Sequence, residues 1–391
     1  MDIDRRRVLA GLALLPAALA AAGEGRAQAG PDTSARRRPP SDGVWESFGE
    51  HLAREAGAGR FSGVVVVAHH DRPLLHRAYG MADTAGRVAN TPATRCTTGS
   101  VTKTFTAVAV AQLVERRKLS FHEPIGTYVP EFPAGIGERV TLHHLLTHTS
   151  GMGDALAGPG GPPPIELEDL LALIVGKPLL FEPGSRPQYS NDGFTVLGAI
   201  VQRVADRPYR DHLREHVFEP AGMCDTGLRT FRPVDVPGMA HGHMLVDENG
   251  RWIPPGPGDV PPGATLVQIG ERLVVGLPGG GAYSTAADLL AFATALTGHR
   301  LLGPRMTRTL TTGTVPSGGA GGPGTTYGYG IEDRRVNGVR VLSKNGASAG
   351  FMAQLDIYPG TGHVVVFLTN QDRVMMAARR RAEDILTGSA T

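Results

Sequence analysis

Residues Phe61 to His69 hold the run Val64-Val65-Val66-Val67, a β-branched stretch of the length of one buried strand. Asp71-Arg72-Pro73 turns it into a second strand ending near Gly80. Ahead of it, Val44 to Glu55 reads as an amphipathic helix. Val101 to Arg117 is apolar almost all round through Ala107-Val108-Ala109-Val110-Ala111, which predicts a central, buried helix. Helical stretches follow at Leu167 to Val175, Phe194 to Val204 and Tyr209 to Val217. Gly158 to Pro164, Pro254 to Gly263 and Pro316 to Gly324 break up this region. The last third turns β-rich at Val339 to Ser343, Phe351 to Tyr358 and His363 to Thr369. Pro359-Gly360-Thr361-Gly362 makes a hairpin turn, and a final helix runs from Val374 to Leu386.

Strands at both ends around a helical middle predict an α/β (α+β) fold. One antiparallel sheet comes from the two termini, is flanked by helices, and carries an inserted, mainly helical lobe. The lobes divide at about 44–95 with 275–388, and 96–274. There is no internal repeat.

Composition changes the picture at the N-terminus. Arg5-Arg6-Arg7, an apolar run from Val8 to Ala22 and Ala27-Gln28-Ala29 make residues 1–29 a twin-arginine-type signal peptide. The apolar run falls short of the ~20 residues that span a bilayer. The expected mature protein is therefore periplasmic or secreted, with no membrane span. Residues 30–43, with Arg36-Arg37-Arg38-Pro39-Pro40, read as a disordered linker before a catalytic domain at 44–388. A net charge of +2 with scattered arginines does not suggest a nucleic-acid partner. Cys96 and Cys224 give neither a disulfide framework nor zinc spacing, and the paired histidines lack a companion carboxylate. No metal is expected.

Only four of the 39 basic residues are lysines: Lys103, Lys118, Lys177 and Lys344. Arginine stays protonated, whereas a buried lysine amine can lose its proton and act as a base. Lys118 and Lys177 sit in polar, turn-like text and read as solvent-facing. Lys103 stands three residues after Ser100, so a helix puts it within reach of that hydroxyl. A cation in a first helical turn opposes the macrodipole, and both the dipole and burial lower its pKa. The plain reading of such a pair is a capping serine with a surface lysine. Two further elements weigh against it. Tyr189-Ser190-Asn191 offers a phenol to relay protons and an amide to hold a substrate carbonyl or orient the lysine. Lys344-Asn345-Gly346-Ala347 closes a predicted strand, where Gly346 admits substrate backbone and the Ala347 N–H could join that of Ser100 as an oxyanion hole.

The order Ser-x-x-Lys, Tyr-x-Asn, Lys-x-Gly resembles the serine β-lactamase and penicillin-binding-protein superfamily, in its class C-type branch. Thr98-Gly99-Ser100-Val101-Thr102-Lys103, Leu145-Leu146-Thr147-His148-Thr149-Ser150-Gly151 and Tyr283-Ser284-Thr285-Ala286-Ala287-Asp288-Leu289 fit as well. The resemblance implies a β-lactamase/transpeptidase-like fold and an acyl-enzyme on Ser100, without metal or organic cofactor. Lys103 and Tyr189 transfer protons, and Asn191, Lys344, Gly346 and Ala347 bind substrate. Glu168-Asp169-Leu170-Leu171-Ala172 lacks the asparagine of the class A water-activating motif, which leaves Tyr189 to activate the hydrolytic water. Asn345 replaces the usual threonine and argues against an efficient β-lactamase, while Lys344 favours a substrate with a carboxylate.

The expected substrates are D-amino-acid peptides, as for a carboxypeptidase or amidase, with esters next and β-lactams third. The alternative of another class is a catalytically idle penicillin-binding-like sensor. A peptide or small-molecule acyl substrate is the expected partner, and the chain is expected to be a monomer. Gly346-Ala347-Ser348-Ala349-Gly350 matches a nucleophile elbow, but the text around it reads strand–turn–strand where that motif needs a following helix. His148 reads as structural.

Overall fold

The computed structural model describes residues 40, 42–154, 166–228, 236–251, 253, 262–269, 277–317 and 324–388. The expected signal peptide at 1–29, most of the expected linker and the break at Gly158 to Pro164 lie outside the described residues, as do 254–261 and 318–323. No helix among the described residues is long and apolar enough to cross a membrane.

Helix α1 (Asp42–Gly57) leads into the hairpin β1 (Gly63–His69) and β2 (Arg72–Tyr79). The middle of the chain supplies α2 (Thr102–Glu115), α3 (Leu167–Val175), α4 (Asn191–Ala205) and α5 (Ala286–Thr297). The remainder returns to the sheet as β3 (Val315–Pro316), β4 (Thr326–Tyr327), β5 (Glu332–Val336), β6 (Val339–Ser348), β7 (Phe351–Tyr358) and β8 (His363–Thr369), then ends in α6 (Met375–Thr387). The eight strands form one antiparallel sheet in the order β3-β4-β5-β6-β7-β8-β1-β2. Strands from the two ends meet where β1 pairs with β8, Val66 opposite Val366.

The two-residue side-chain period explains why these strands are apolar throughout. Val64 and Val66 join a core cluster with α2, whereas Val65 and Val67 join another with Trp45, Phe48 and Phe367. Both faces are buried, so neither has reason to alternate with polar residues. Helix α2 is buried without a break from Thr102 to Leu113, as its all-round apolar text requires.

One boundary departs from expectation in a way that matters. The strand expected at Val339 to Ser343 continues to Ser348, so Lys344 lies inside it, opposite Leu355. Polar residues hid the extension, although the Ser343 hydroxyl and the Lys344 ammonium find partners within the fold. Ser343 Oγ donates to Asp356 Oδ1 at 2.6 Å, and Arg379 of α6 closes on the same carboxylate at 2.9 Å. Lys344, one residue on, projects from the opposite face.

Candidate active site

Ser100 occupies a one-turn 3₁₀ segment, Gly99–Val101, that runs directly into α2. Threonines rivet this turn to the short strand Ala282–Ser284. The Thr98 N–H donates to Ala282 O at 2.8 Å, and Thr98 Oγ1 donates to the same oxygen at 3.0 Å. Thr102 Oγ1 donates to Gly99 O at 2.7 Å and accepts from Ala282 N at 3.1 Å. Gly99 has φ +48°, and a Cβ there would sit 2.7 Å from Ala347 N, so glycine answers both the backbone conformation and the contact.

Lys103 is fully buried. Its Nζ meets Asn191 Oδ1 at 2.6 Å, Gly279 O, and Ser100 Oγ at 3.3 Å. Asn191 Nδ2 donates to Asp154 Oδ2 at 2.8 Å, which fixes the amide so that its oxygen faces the lysine. Burial pushes the Lys103 pKa well below its usual value, and nearby Lys344 adds to the effect against a smaller pull from Asp154. A neutral amine has two N–H groups and one lone pair. Asn191 Oδ1 and Gly279 O can only accept from it, so the lone pair is left for the Ser100 hydroxyl. Of the two roles the sequence left open for Asn191, the geometry displays the orienting of the base; the order of its two bonds could not be read from spacing.

Tyr189 OH lies 2.5 Å from Ser100 Oγ. Although 43 % of the residue is exposed, desolvation raises the pKa of its hydroxyl, so the phenol is neutral at pH 7. Asn191 begins α4, whose N-cap Ser190 accepts from Gly193 N at 3.0 Å and donates to Gly153 O at 2.8 Å. Tyr189 is thus anchored on its C-terminal side by a capped helix.

Lys344 is 2 % exposed and donates to Tyr327 OH at 2.7 Å, with Nζ 5.5 Å from the Tyr189 ring centroid. Burial lowers its pKa to about 8, with Glu332 opposing the shift. Asn345 faces outward. A Cβ on Gly346 would lie 2.0 Å from Thr98 O and 2.7 Å from Ser100 N, so β6 runs against the serine turn at backbone contact distance. The backbone at Ser100 N and at Ala347 N is therefore drawn close together.

Ser348 ends β6 opposite Phe351 rather than standing in a loop, and the motif around it is strand–turn–strand. Glu168 binds Arg203 on α4 at 2.7 Å. Lys118 and Lys177 are exposed, and Cys96 and Cys224 are free thiols. Sequence reasoning missed three site residues: Tyr327 in the two-residue β4, Asp154 at a loop end, and His148, buried between Tyr189 and Tyr327. Only the text Thr147-His148-Thr149-Ser150-Gly151 carried a signal for any of them.

The beta-lactamase family model matches residues 50–388. Over 182 residues the chain is 32% identical to the putative penicillin-binding protein PbpX of Bacillus subtilis (strain 168), covering 46% of this chain and 45% of PbpX. Over 190 residues it is 36% identical to esterase EstB of Burkholderia gladioli, covering 44% and 47%. These matches span about half the length of each relative. The crystal structure of a penicillin binding protein from Bacillus halodurans matches with a TM-score of 0.70 at 30% identity, over 84% of this chain and 98% of that one. A match over nearly the whole of the folded chain, on a sheet-and-helix frame that carries a serine beside a buried lysine, places this protein in the beta-lactamase family of serine hydrolases.

Proposed function

We propose that this chain hydrolyses acyl substrates through an acyl-enzyme on Ser100. The observation that carries this reading is the Lys103 amine, held by two acceptors with its remaining face toward Ser100 Oγ. Lys103 takes the hydroxyl proton as Oγ bonds to the acyl carbon, and the Ser100 and Ala347 N–H groups receive the oxyanion. The leaving group departs with the Tyr189 proton, and Lys103 then restores it. Water cleaves the acyl-serine by the same transfers in reverse. The arginine-rich leader at residues 5–22 supports export to the periplasm.

The substrate class that fits best is a D-amino-acid peptide ending in a carboxylate, because Lys344 brings a buried cation within reach of the Tyr189 ring. Ester hydrolysis is the second reading, favoured by the likeness to EstB and by Asn345 in place of a hydroxyl.

Turnover of a D-Ala-D-Ala peptide, a nitrophenyl ester and a chromogenic cephalosporin across pH 6–9.5 tests these readings. The Lys344 ammonium is lost as pH rises through about 8, so KM for the anionic peptide should climb above that pH. KM for the neutral ester should stay flat, and Lys344→Met should flatten the peptide profile. Ester turnover with an inert peptide favours the esterase reading. Silence on all three substrates favours an idle binding protein.

A further inference from the structure

His148 departs from what its surroundings ask of a structural residue. Its backbone has φ +59°, in the left-handed region where glycine is free of strain. The side chain is buried, with its ring centroid 4.4 Å from Tyr189, 5.0 Å from Tyr327 and 5.2 Å from Phe194. Two hydrogen bonds bracket Tyr189. The Gln188 N–H donates to His148 O at 2.8 Å, and the Ser190 N–H donates to His148 Nδ1 at 3.2 Å.

Tyr189 needs such a clamp. Residues 187–190 belong to no helix or strand, and the tyrosine is too exposed for core packing to hold it. Its hydroxyl must nevertheless stay 2.5 Å from Ser100 Oγ. A histidine supplies what glycine cannot, a ring to stack and a δ nitrogen to accept the neighbouring N–H.

We infer that His148 is a positioning residue for Tyr189, setting the phenol on Ser100 through the Ser190 N–H···Nδ1 bond and the ring stack. The inference rests on the proton-transfer reading of Tyr189 given above. It requires Nδ1 to be an acceptor, so the ring is neutral with its proton on Nε2. Burial, with smaller contributions from Lys344 and Lys103, lowers the His148 pKa well below the usual value and keeps it so.

The test is single-turnover acylation of the full chain by a nitrophenyl ester, with thermal melting of each variant alongside. His148→Gly removes ring and acceptor while relieving the backbone. It should slow maximal acylation about 100-fold, the cost of misplacing a reacting group by about 1 Å, with half-saturation changed by less than about twofold. His148→Asn keeps an acceptor at the δ position and tolerates positive φ; it should recover acylation to within about fivefold of wild type. In a Tyr189→Phe background, His148→Gly should cost nothing further, because both act through one group.

A rate unchanged by His148→Gly overturns the inference. So does an equal loss in the Tyr189→Phe background, or a well-folded His148→Asn protein that stays slow. Should His148→Gly not fold, the His148→Asn rate decides alone. A Tyr189→Phe protein that acylates at the wild-type rate overturns the reading of Tyr189 itself, and His148 with it. A damaged Tyr189→Phe protein beside a silent His148→Gly overturns His148 only.

Discussion

Lys103→Arg should abolish acylation although it keeps the positive charge. A guanidinium cannot give up its proton, so no lone pair is left to face Ser100 Oγ. The wild-type site works in the other direction, burying the amine completely and pushing its pKa down until the neutral base is accessible. Loss of a base that acts as a unit with its nucleophile costs at least about 10³-fold in the acylation rate. The larger side chain also overpacks a site with no spare surface, at a cost of about 1–3 kcal/mol in stability, which melting would register separately. The pH profile gives a second readout. Wild-type acylation should rise with pH as Lys103 deprotonates and level off well below 10.5, whereas Lys103→Arg should show no such rise at any pH the fold survives. Activity within about tenfold of wild type would mean that another group is the base.

Gly346→Ala should be nearly as damaging, for a steric reason. The added methyl would come within 2.0 Å of Thr98 O and 2.7 Å of Ser100 N, both of them backbone atoms. Neither partner can yield easily. Thr98 is tied to Ala282 O by two hydrogen bonds, and β6 pairs with β5 on one side and β7 on the other. The strand and the serine turn must therefore separate, which pulls Ala347 N away from Ser100 N and opens the oxyanion site. Removing one oxyanion donor costs roughly 10²–10³-fold in kcat, and a misplacement of about 1 Å costs a similar amount. The expected outcome is a loss of about 100-fold or more in kcat with a lower melting temperature. A Gly346→Ala protein with unchanged kcat would show that the contact between β6 and the serine turn does not set the reaction geometry.

The features legible in the sequence were those with a strong local cause. The Val64 to Val67 run, the all-round apolar helix α2 and the turn between β7 and β8 announce themselves through periodicity and turn chemistry. Ser100, Lys103 and Tyr189 converge because two of them share a helical turn and the third precedes a capped helix. The illegible features depend on long-range partners. Ser343 and Lys344 look like the end of a strand until Asp356, Arg379 and Tyr327 are in place to pair with them. Asn191 could hold substrate or base, and only Asp154 across the site decides which way its amide points. His148 reads as filler because its value lies in a positive φ and in neighbours about 40 positions further along the chain.

The measurement closest to the central claim is fluorophosphonate labelling of wild type, Ser100→Ala and Ser348→Ala, followed by mass mapping of the labelled peptide. The site predicts a label on Ser100 alone, lost in Ser100→Ala and kept in Ser348→Ala. The Lys103 amine and Tyr189 hydroxyl both address Ser100 Oγ, whereas Ser348 Oγ is buried with no hydrogen-bond partner among the described residues. Labelling that survives Ser100→Ala and vanishes in Ser348→Ala would contradict the account and move the nucleophile to the end of β6.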